Sequence, residues 1–382
     1  MPRMLIAGDK FKGSASARTV AEALSRGIAA AAPEAEVVAL PIADGGDGTI
    51  DAALAAGFVE HRSAVTGAYG ERRDARFAVE PASGAAVIEV AEACGLRDVS
   101  AARLASGALD AAAATSWGVG ELVLAALDAG ARSVVLGLGG SATSDGGLGM
   151  MRALGMRVVA ADGAPIDRLD AAALRGATFD ASGLDPRLAG LAVQIACDVT
   201  NPLTGPDGAA AVYGPQKGLA PEQVPEVDAA LHLFGAMVER ALGAEPGAWA
   251  EVPGAGAAGG LGFGALAVLG GEMRSGIDLV LDLVGFDDAL VGADLVITSE
   301  GRLDAQTLSG KAPAGVLRRS REVPVVVVCG SSDLTAAEVR GAGFAEVYEL
   351  VALEPDAAAC IAAPEPLLEV IGRRIGTALR SG

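Results

Sequence analysis

Asp44, Asp47, Asp145, Asp198, Glu300 and Asp304 all fall in loops where a strand or helix is predicted to end, and Lys10, Lys12, Arg302 and Lys311 occupy loops of the same kind. Carboxylates sharing a site with cations and glycine turns suit phosphoryl transfer. Carboxylates hold Mg²⁺ and accept the proton of an attacking hydroxyl, while cations and helix N-termini spread the charge of the moving group. The glycine turns are present. Val134 to Leu138 is a continuous apolar run that suits a buried parallel strand; Gly139, Gly140, Ser141, Thr143, Ser144 and Asp145 follow, and a helical pattern starts near Gly146. Backbone N–H groups that converge with no Cβ in the way, beside a helix dipole, form a cradle for an anion. Gly254 to Gly260 is a second such loop, opening a helix from Leu261 to Leu269.

Competing chemistries have weaker support. A Walker A loop is absent, because Ala312 follows Gly310-Lys311 where Ser or Thr is required and position 305 is not Gly. A dinucleotide fingerprint is nearly complete: Gly137, Gly139 and Ala142 follow a strand, with Asp162 downstream. That pattern makes an NAD(P)-dependent dehydrogenase of a small hydroxy acid the alternative reading, with a non-catalytic sugar-acid-binding protein as another. The two histidines, His61 and His232, lie away from glycine loops and acidic clusters, which disfavours a Ser-His-Asp triad. Proton chemistry then falls to carboxylates or lysine.

The elements that must position these loops alternate between strand and helix at both ends of the chain. Met4 to Ala7 and Val37 to Ile42 read as strands, each delivering an Asp- and Gly-bearing turn into a helix; Ser14 or Ser16 caps the first helix. Ala293 to Thr298, Val325 to Val328 and Glu346 to Val351 read as three further strands, and Pro313 suits the first turn of a helix. Between them the texture changes. Short strands are predicted at Val59 to Thr66, Ala75 to Val79 and Ala85 to Val90, a loop with a short helix at Gly163 to Asp180, and a strand at Val193 to Ala196. The first two and last three strands are expected to form one parallel sheet. This gives an α/β domain from residues 1–58 and 286–382, with residues 59–285 inserted as a second α/β domain. In open parallel sheets, ligands sit at the edge where these turns emerge.

Composition narrows the partners. The 382 residues are 51% hydrophobic but only 3% aromatic, so the core must be close-packed aliphatic layers. A formal net charge of −19 offers no broad basic face to nucleic acid or anionic membranes. The four cysteines are widely spaced with no CxxC pair, which argues for reduced, buried thiols. No signal-like or membrane-length apolar run is seen, and a cytoplasmic location is expected.

Taken together, the loops resemble the signatures of the type I glycerate kinases, in the same order over nearly the whole chain. The matching segments are Asp9-Lys10-Phe11-Lys12-Gly13, Ala43 through Thr49, Gly139 through Gly147, Cys197-Asp198-Val199-Thr200-Asn201-Pro202-Leu203, Tyr213 through Gly218, Gly254 through Gly262, Asp294 through Arg302, and Gln306-Thr307 with Gly310-Lys311. Two positions depart: Gly8 stands where the family usually has Pro, and Ser299 where it usually has Gly. The resemblance implies ATP- and Mg²⁺-dependent phosphorylation of D-glycerate, most often at the 2-hydroxyl; a monomer or homodimer is expected, the sequence leaving that choice open. It also implies a Rossmann- or flavodoxin-like domain with an inserted domain and a cleft between them. On that basis Gly139, Gly140, Ser141, Asp145, Gly256, Gly259 and Lys311 are expected at the nucleotide, and Asp198 and Glu300 at Mg²⁺. Asp44 or Asp47 is expected to take the hydroxyl proton. Lys12 and Arg302 are expected to bind glycerate or neutralise the moving phosphoryl group, and Lys217 and Lys311 are further candidates for the glycerate carboxylate.

Overall fold

A computed structural model describes residues 1–99, 109–305, 307 and 310–379 and divides the chain into two compact units. Met1–Gly57 joins with the segment from Ser275 onward, and Phe58–Arg274 forms the other unit. The second boundary thus comes one helix earlier than the expected residue 286. The reason is packing: helix Gly276–Leu283 buries Ile277, Val280 and Leu281 in the core of the first unit.

In chain order the strands are β1 (Arg3–Ile6), β2 (Glu36–Ala39), β3 (Val59–Thr66), β4 (Arg72–Val79), β5 (Ala85–Glu89), β6 (Ser133–Gly137), β7 (Arg157–Val159), β8 (Thr178–Asp180), β9 (Ala192–Ala196), β10 (Glu272–Arg274), β11 (Leu295–Leu303), β12 (Val325–Ser332) and β13 (Glu346–Glu349). The first unit is a five-stranded sheet in the order β13-β12-β11-β1-β2. Every pairing in it is parallel, and Met4 lies opposite Leu295 in the β1–β11 register. The expected union of the two N-terminal and three C-terminal strands is therefore observed. The strand order reverses between β1 and β11, the position where doubly wound sheets open a crevice at their carboxyl ends.

One face of this sheet is covered by helices Ala17–Ala31 and Pro364–Leu379, which pack on each other along their length. Their close approach needs glycine. A Cβ on Gly27 would stand 2.2 Å from the Glu369 carbonyl oxygen, and one on Gly372 2.4 Å from that of Leu24. Ser16 starts the first of these helices by accepting a hydrogen bond from the Thr19 N–H at 3.1 Å. The opposite face is covered by Gly276–Leu283 and Ala312–Ser320, around Leu5, Val296, Val325 and Val327.

The second unit carries a six-stranded sheet in the order β10-β9-β6-β5-β4-β3. The strands from β5 to β10 run parallel, and β3–β4 is an antiparallel hairpin edge. Strands β7 and β8 form a separate antiparallel pair, and helix Ala171–Leu174 lies between them in the chain. The expected loop at Gly163 to Asp180 thus contains a strand. With three residues each, β7, β8 and β10 are too short for an alternation to show in sequence. Among the described residues no helix is long and apolar enough to cross a membrane.

Candidate active site

In the first unit, three strand ends bring acids together. β1 runs into Asp9 and Lys10, β2 into Asp44 and Asp47, and β11 itself carries Ser299, Glu300 and Arg302. The Asp9 N–H donates to the Ser299 carbonyl at 2.9 Å, and the Ser299 hydroxyl donates to the Asp9 carbonyl at 2.9 Å. The Lys10 N–H donates to Asp9 Oδ1 at 2.7 Å. Lys10 Nζ pairs with Asp47 Oδ2 at 3.1 Å and also donates to the Asp47 carbonyl. Asp44 Oδ1 accepts the Gly46 N–H at 3.2 Å, which shapes the glycine turn after β2.

This crowding changes the acids. Burial pushes the Asp9 carboxyl up to about 7; Asp44 and Asp47 add to the rise, while Lys10 opposes it. Burial also pushes Glu300 up to about 7, against the pull of a Thr307 hydrogen bond and of Lys311. Glu300 Oε1 is buried and has no hydrogen-bond partner. Two carboxyls poised near neutrality beside a third and a fourth form a pattern found where protons or metal ions are handled.

Lys12 and Arg302 are exposed, and Arg302 Nη2 pairs with Asp333 Oδ2 at 2.6 Å. Lys311 caps helix Ala312–Ser320, with Pro313 in its first turn as expected. Asp304 and Thr307 hold each other's backbone N–H groups at 3.1 Å. Gln306 lies outside the described residues.

In the second unit, β6 leads into the glycine turn. Gly139 and Gly140 are exposed, and Gly140 has a φ of +74°. Asp145 is buried. Its carboxylate accepts from the Ser116 N–H and hydroxyl, each at 2.8 Å, and from the N–H groups of Gly147 and Gly149, each at 3.1 Å. It therefore ties the turn to helix Leu148–Ala153 from inside. Ser141 is buried too, and its Oγ accepts from Lys217 Nζ at 2.9 Å.

Lys217 is only 4% exposed, and its ammonium also donates to the Thr143 carbonyl at 2.8 Å. Burial lowers its pKa to about 8, with Cys94 and Asp145 opposing. It is thus a brace behind the turn, and its ammonium is not open to a glycerate carboxylate as the sequence reading allowed. Gly256 and Gly259 are buried for a structural reason: a Cβ on Gly256 would stand 2.2 Å from the Pro202 carbonyl oxygen and one on Gly259 1.9 Å from that of Thr143. The second glycine loop supports the first by backbone packing. Asp198 is exposed at the end of β9.

The dinucleotide alternative loses its ribose-binding acid here. Asp162 is exposed and accepts the Ala164 N–H at 3.0 Å in a turn after β7, which does not belong to the sheet containing β6.

A sequence model of the glycerate kinase family matches residues 4–380. The chain belongs to that family. It is 42% identical over 353 residues to a glycerate kinase from Bacillus subtilis (strain 168), covering 91% of this chain and 90% of that protein. It is 39% identical over 352 residues to a glycerate 2-kinase from Escherichia coli (strain K12), with 91% and 90% covered. A crystal structure from Salmonella typhimurium LT2, named provisionally as glycerate kinase 2, superposes with a TM-score of 0.85 at 37% identity, covering 100% of this chain and 99% of that one.

Within this glycerate kinase family member, Gly8 and Ser299 compete for one space. A Cβ on Gly8 would stand 2.1 Å from Ser299 Oγ and 3.0 Å from its Cβ, so the serine fills the space that a side chain at position 8 would need. Gly8→Ala is expected to lower the unfolding temperature, and Gly8→Ala with Ser299→Gly to recover most of the loss, a coupling of about 1–2 kcal/mol. A loss in the double variant equal to the sum of the losses in Gly8→Ala and Ser299→Gly alone would show the two sites to be independent. Asp9 is the acid to which the sequence reading assigns no role. An Asp after a strand reads equally well as a turn former, and only the fold brings its carboxyl close enough to Asp44 and Asp47 to feel their charge.

Proposed function

We propose that the protein transfers the γ-phosphoryl group of ATP to D-glycerate, giving 2-phospho-D-glycerate, with Mg²⁺ as cofactor. The observation that carries this reading is the set of acids at the carboxyl edge of the first unit's sheet: Asp9 and Glu300 held near neutrality beside Asp44 and a lysine-paired Asp47. The names of the relatives support the substrate, one of them specifically as a 2-kinase.

Glu300 suits Mg²⁺, because its buried Oε1 has no other partner, and Asp198, exposed in the second unit, stays a proposed ligand on the family resemblance alone. Among the described residues no group of three or more His, Cys, Asp or Glu is placed to hold a metal ion. Mg²⁺ does not require one, because one or two carboxylates hold it while water and substrate phosphates complete the shell. When bound, the ion supplies charge neutralisation on the phosphates. Asp47 is engaged by Lys10, which leaves Asp44 to take the proton of the attacking hydroxyl. Lys12 and Arg302 place positive charge for the moving phosphoryl group. The exposed backbone of Gly139 and Gly140 offers N–H groups to phosphate oxygens, and Ser141, Asp145, Lys217, Gly256 and Gly259 hold that turn in shape.

Asp44→Ala and Asp198→Ala should each lower turnover about a hundredfold or more with an unchanged far-ultraviolet circular dichroism spectrum. Turnover near the wild-type rate in both would overturn the roles given to these acids.

A further inference from the structure

At the carboxyl edge of the first unit's sheet, separate from the acids, lies a cavity of about 290 Å³. Its walls come from the ends of four strands and from helix Ala357–Ala362: Phe11 from the loop after β1, Leu350 and Val351 after β13, and Ile361 from the helix, with Lys12 and Arg302 beside them. Asp44, Asp47, Asp198 and Glu300 are not among its lining residues.

We propose that this cavity takes the purine base of the nucleoside triphosphate, with Lys12 and Arg302 supplying positive charge to the phosphates. The inference deepens the ATP reading above and rests on it. Four observations support a flat, largely apolar ligand. The first is the lining: Phe11, Leu350, Val351, Cys360 and Ile361 are apolar, and apart from the two cations only Ser14 and Ser331 bring polar side chains. Glycerate carries a polar group on every carbon, and burying it here would strip its water without replacement. A heteroaromatic ring gains from apolar walls on its faces and keeps its polar edge for the rim.

The second is size, since about 290 Å³ lies at the lower end of small-ligand pockets and is generous for a three-carbon acid. The third is position. The cavity spans the carboxyl ends of β1 and β11, where the strand order reverses. The fourth is Ile361, a large aliphatic side chain left 56% exposed at the cavity wall, which a bound ring would cover. Lys12 is exposed at the same place, and Arg302 is steadied by Asp333, so both cations remain on the solvent side of the apolar walls.

The test titrates ATP, and inorganic tripolyphosphate as the base-free control, into the full chain by calorimetry. Ala357→Trp places a large ring at an exposed lining position, and Ile361→Ala trims the wall without adding bulk. Ala357→Trp is expected to weaken ATP binding by about tenfold or more, leaving tripolyphosphate affinity and the KM for D-glycerate unchanged. Ile361→Ala is expected to weaken ATP severalfold in the same pattern, and it serves alone if the tryptophan variant fails to fold. Unchanged ATP affinity in the folded variants overturns the assignment. So does equal weakening of ATP and tripolyphosphate, or a rise only in the KM for D-glycerate, which would make the cavity the acceptor site. A wild-type chain that binds no ATP at all defeats the kinase reading itself, a distinct outcome.

Discussion

Glu300→Gln is expected to lower turnover by about 10²–10³-fold and, in the same protein, to raise the unfolding temperature above neutral pH. Glutamine keeps the shape of the side chain and removes its charge. The wild-type carboxyl titrates near 7 when folded, against a reference value of 4.5. Between those two values the folded chain keeps a proton that the unfolded chain has released, so stability falls as pH rises through that window. Above it both states are ionised, and the folded protein carries the full cost of the buried charge. The wild type should therefore lose thermal stability between about pH 5 and pH 8, and Glu300→Gln should show a smaller loss, the gap opening with pH. Differential scanning calorimetry across that range, together with turnover at saturating substrates, checks both halves. A variant that is less stable at every pH would make Glu300 a structural residue, and unchanged turnover would remove it from the phosphoryl-transfer machinery.

The second large effect is expected at Lys217. Methionine matches its length and apolar stem but cannot donate to Ser141 Oγ or to the Thr143 carbonyl. Both acceptors are then left buried without their donor, a cost of about 1–3 kcal/mol for each group. Removing a buried ammonium recovers desolvation, so the net change in stability is smaller than the change in the turn. Lys217→Met should raise the KM for ATP by about tenfold or more, with the KM for D-glycerate near its wild-type value.

The pH profile of stability separates this role from simple packing. The folded lysine titrates near 8 against a reference of 10.5, so the unfolded chain binds more protons between those values and wild-type stability climbs with pH there. Lys217→Met should lack that climb. If both Michaelis constants rise together, or the climb persists in the variant, Lys217 does not act through the glycine turn.

What could be read from the residues follows what short-range physics encodes. The buried strands of the first unit appear as continuous apolar runs, and the cap at Ser16 appears as a serine before a periodic stretch, because both signals are local. The parallel order of the sheet followed from strand–helix alternation at both ends. The three-residue strands β7, β8 and β10 carried no period to detect. Side-chain environment was harder still. A lysine in a Gly-Pro-Gln-Lys-Gly turn looks like a surface cation, and only the fold shows it sealed behind Ser141. Gly256 and Gly259 resemble a phosphate cradle, yet backbone carbonyls occupy the space where a Cβ would go. Gly8 and Ser299 are 291 residues apart in the sense of the Gly8-to-Ser299 span in the chain, and no local rule links them.

The central claim is that these loops move a phosphoryl group from ATP to a glycerate hydroxyl. The most direct measurement is ³¹P NMR of the full chain incubated with Mg²⁺, ATP and D-glycerate. The account predicts ADP together with a phosphomonoester resonance of 2-phosphoglycerate, growing in equal amounts and absent when D-glycerate is left out. ATP that stays intact, or that yields only inorganic phosphate, would contradict it.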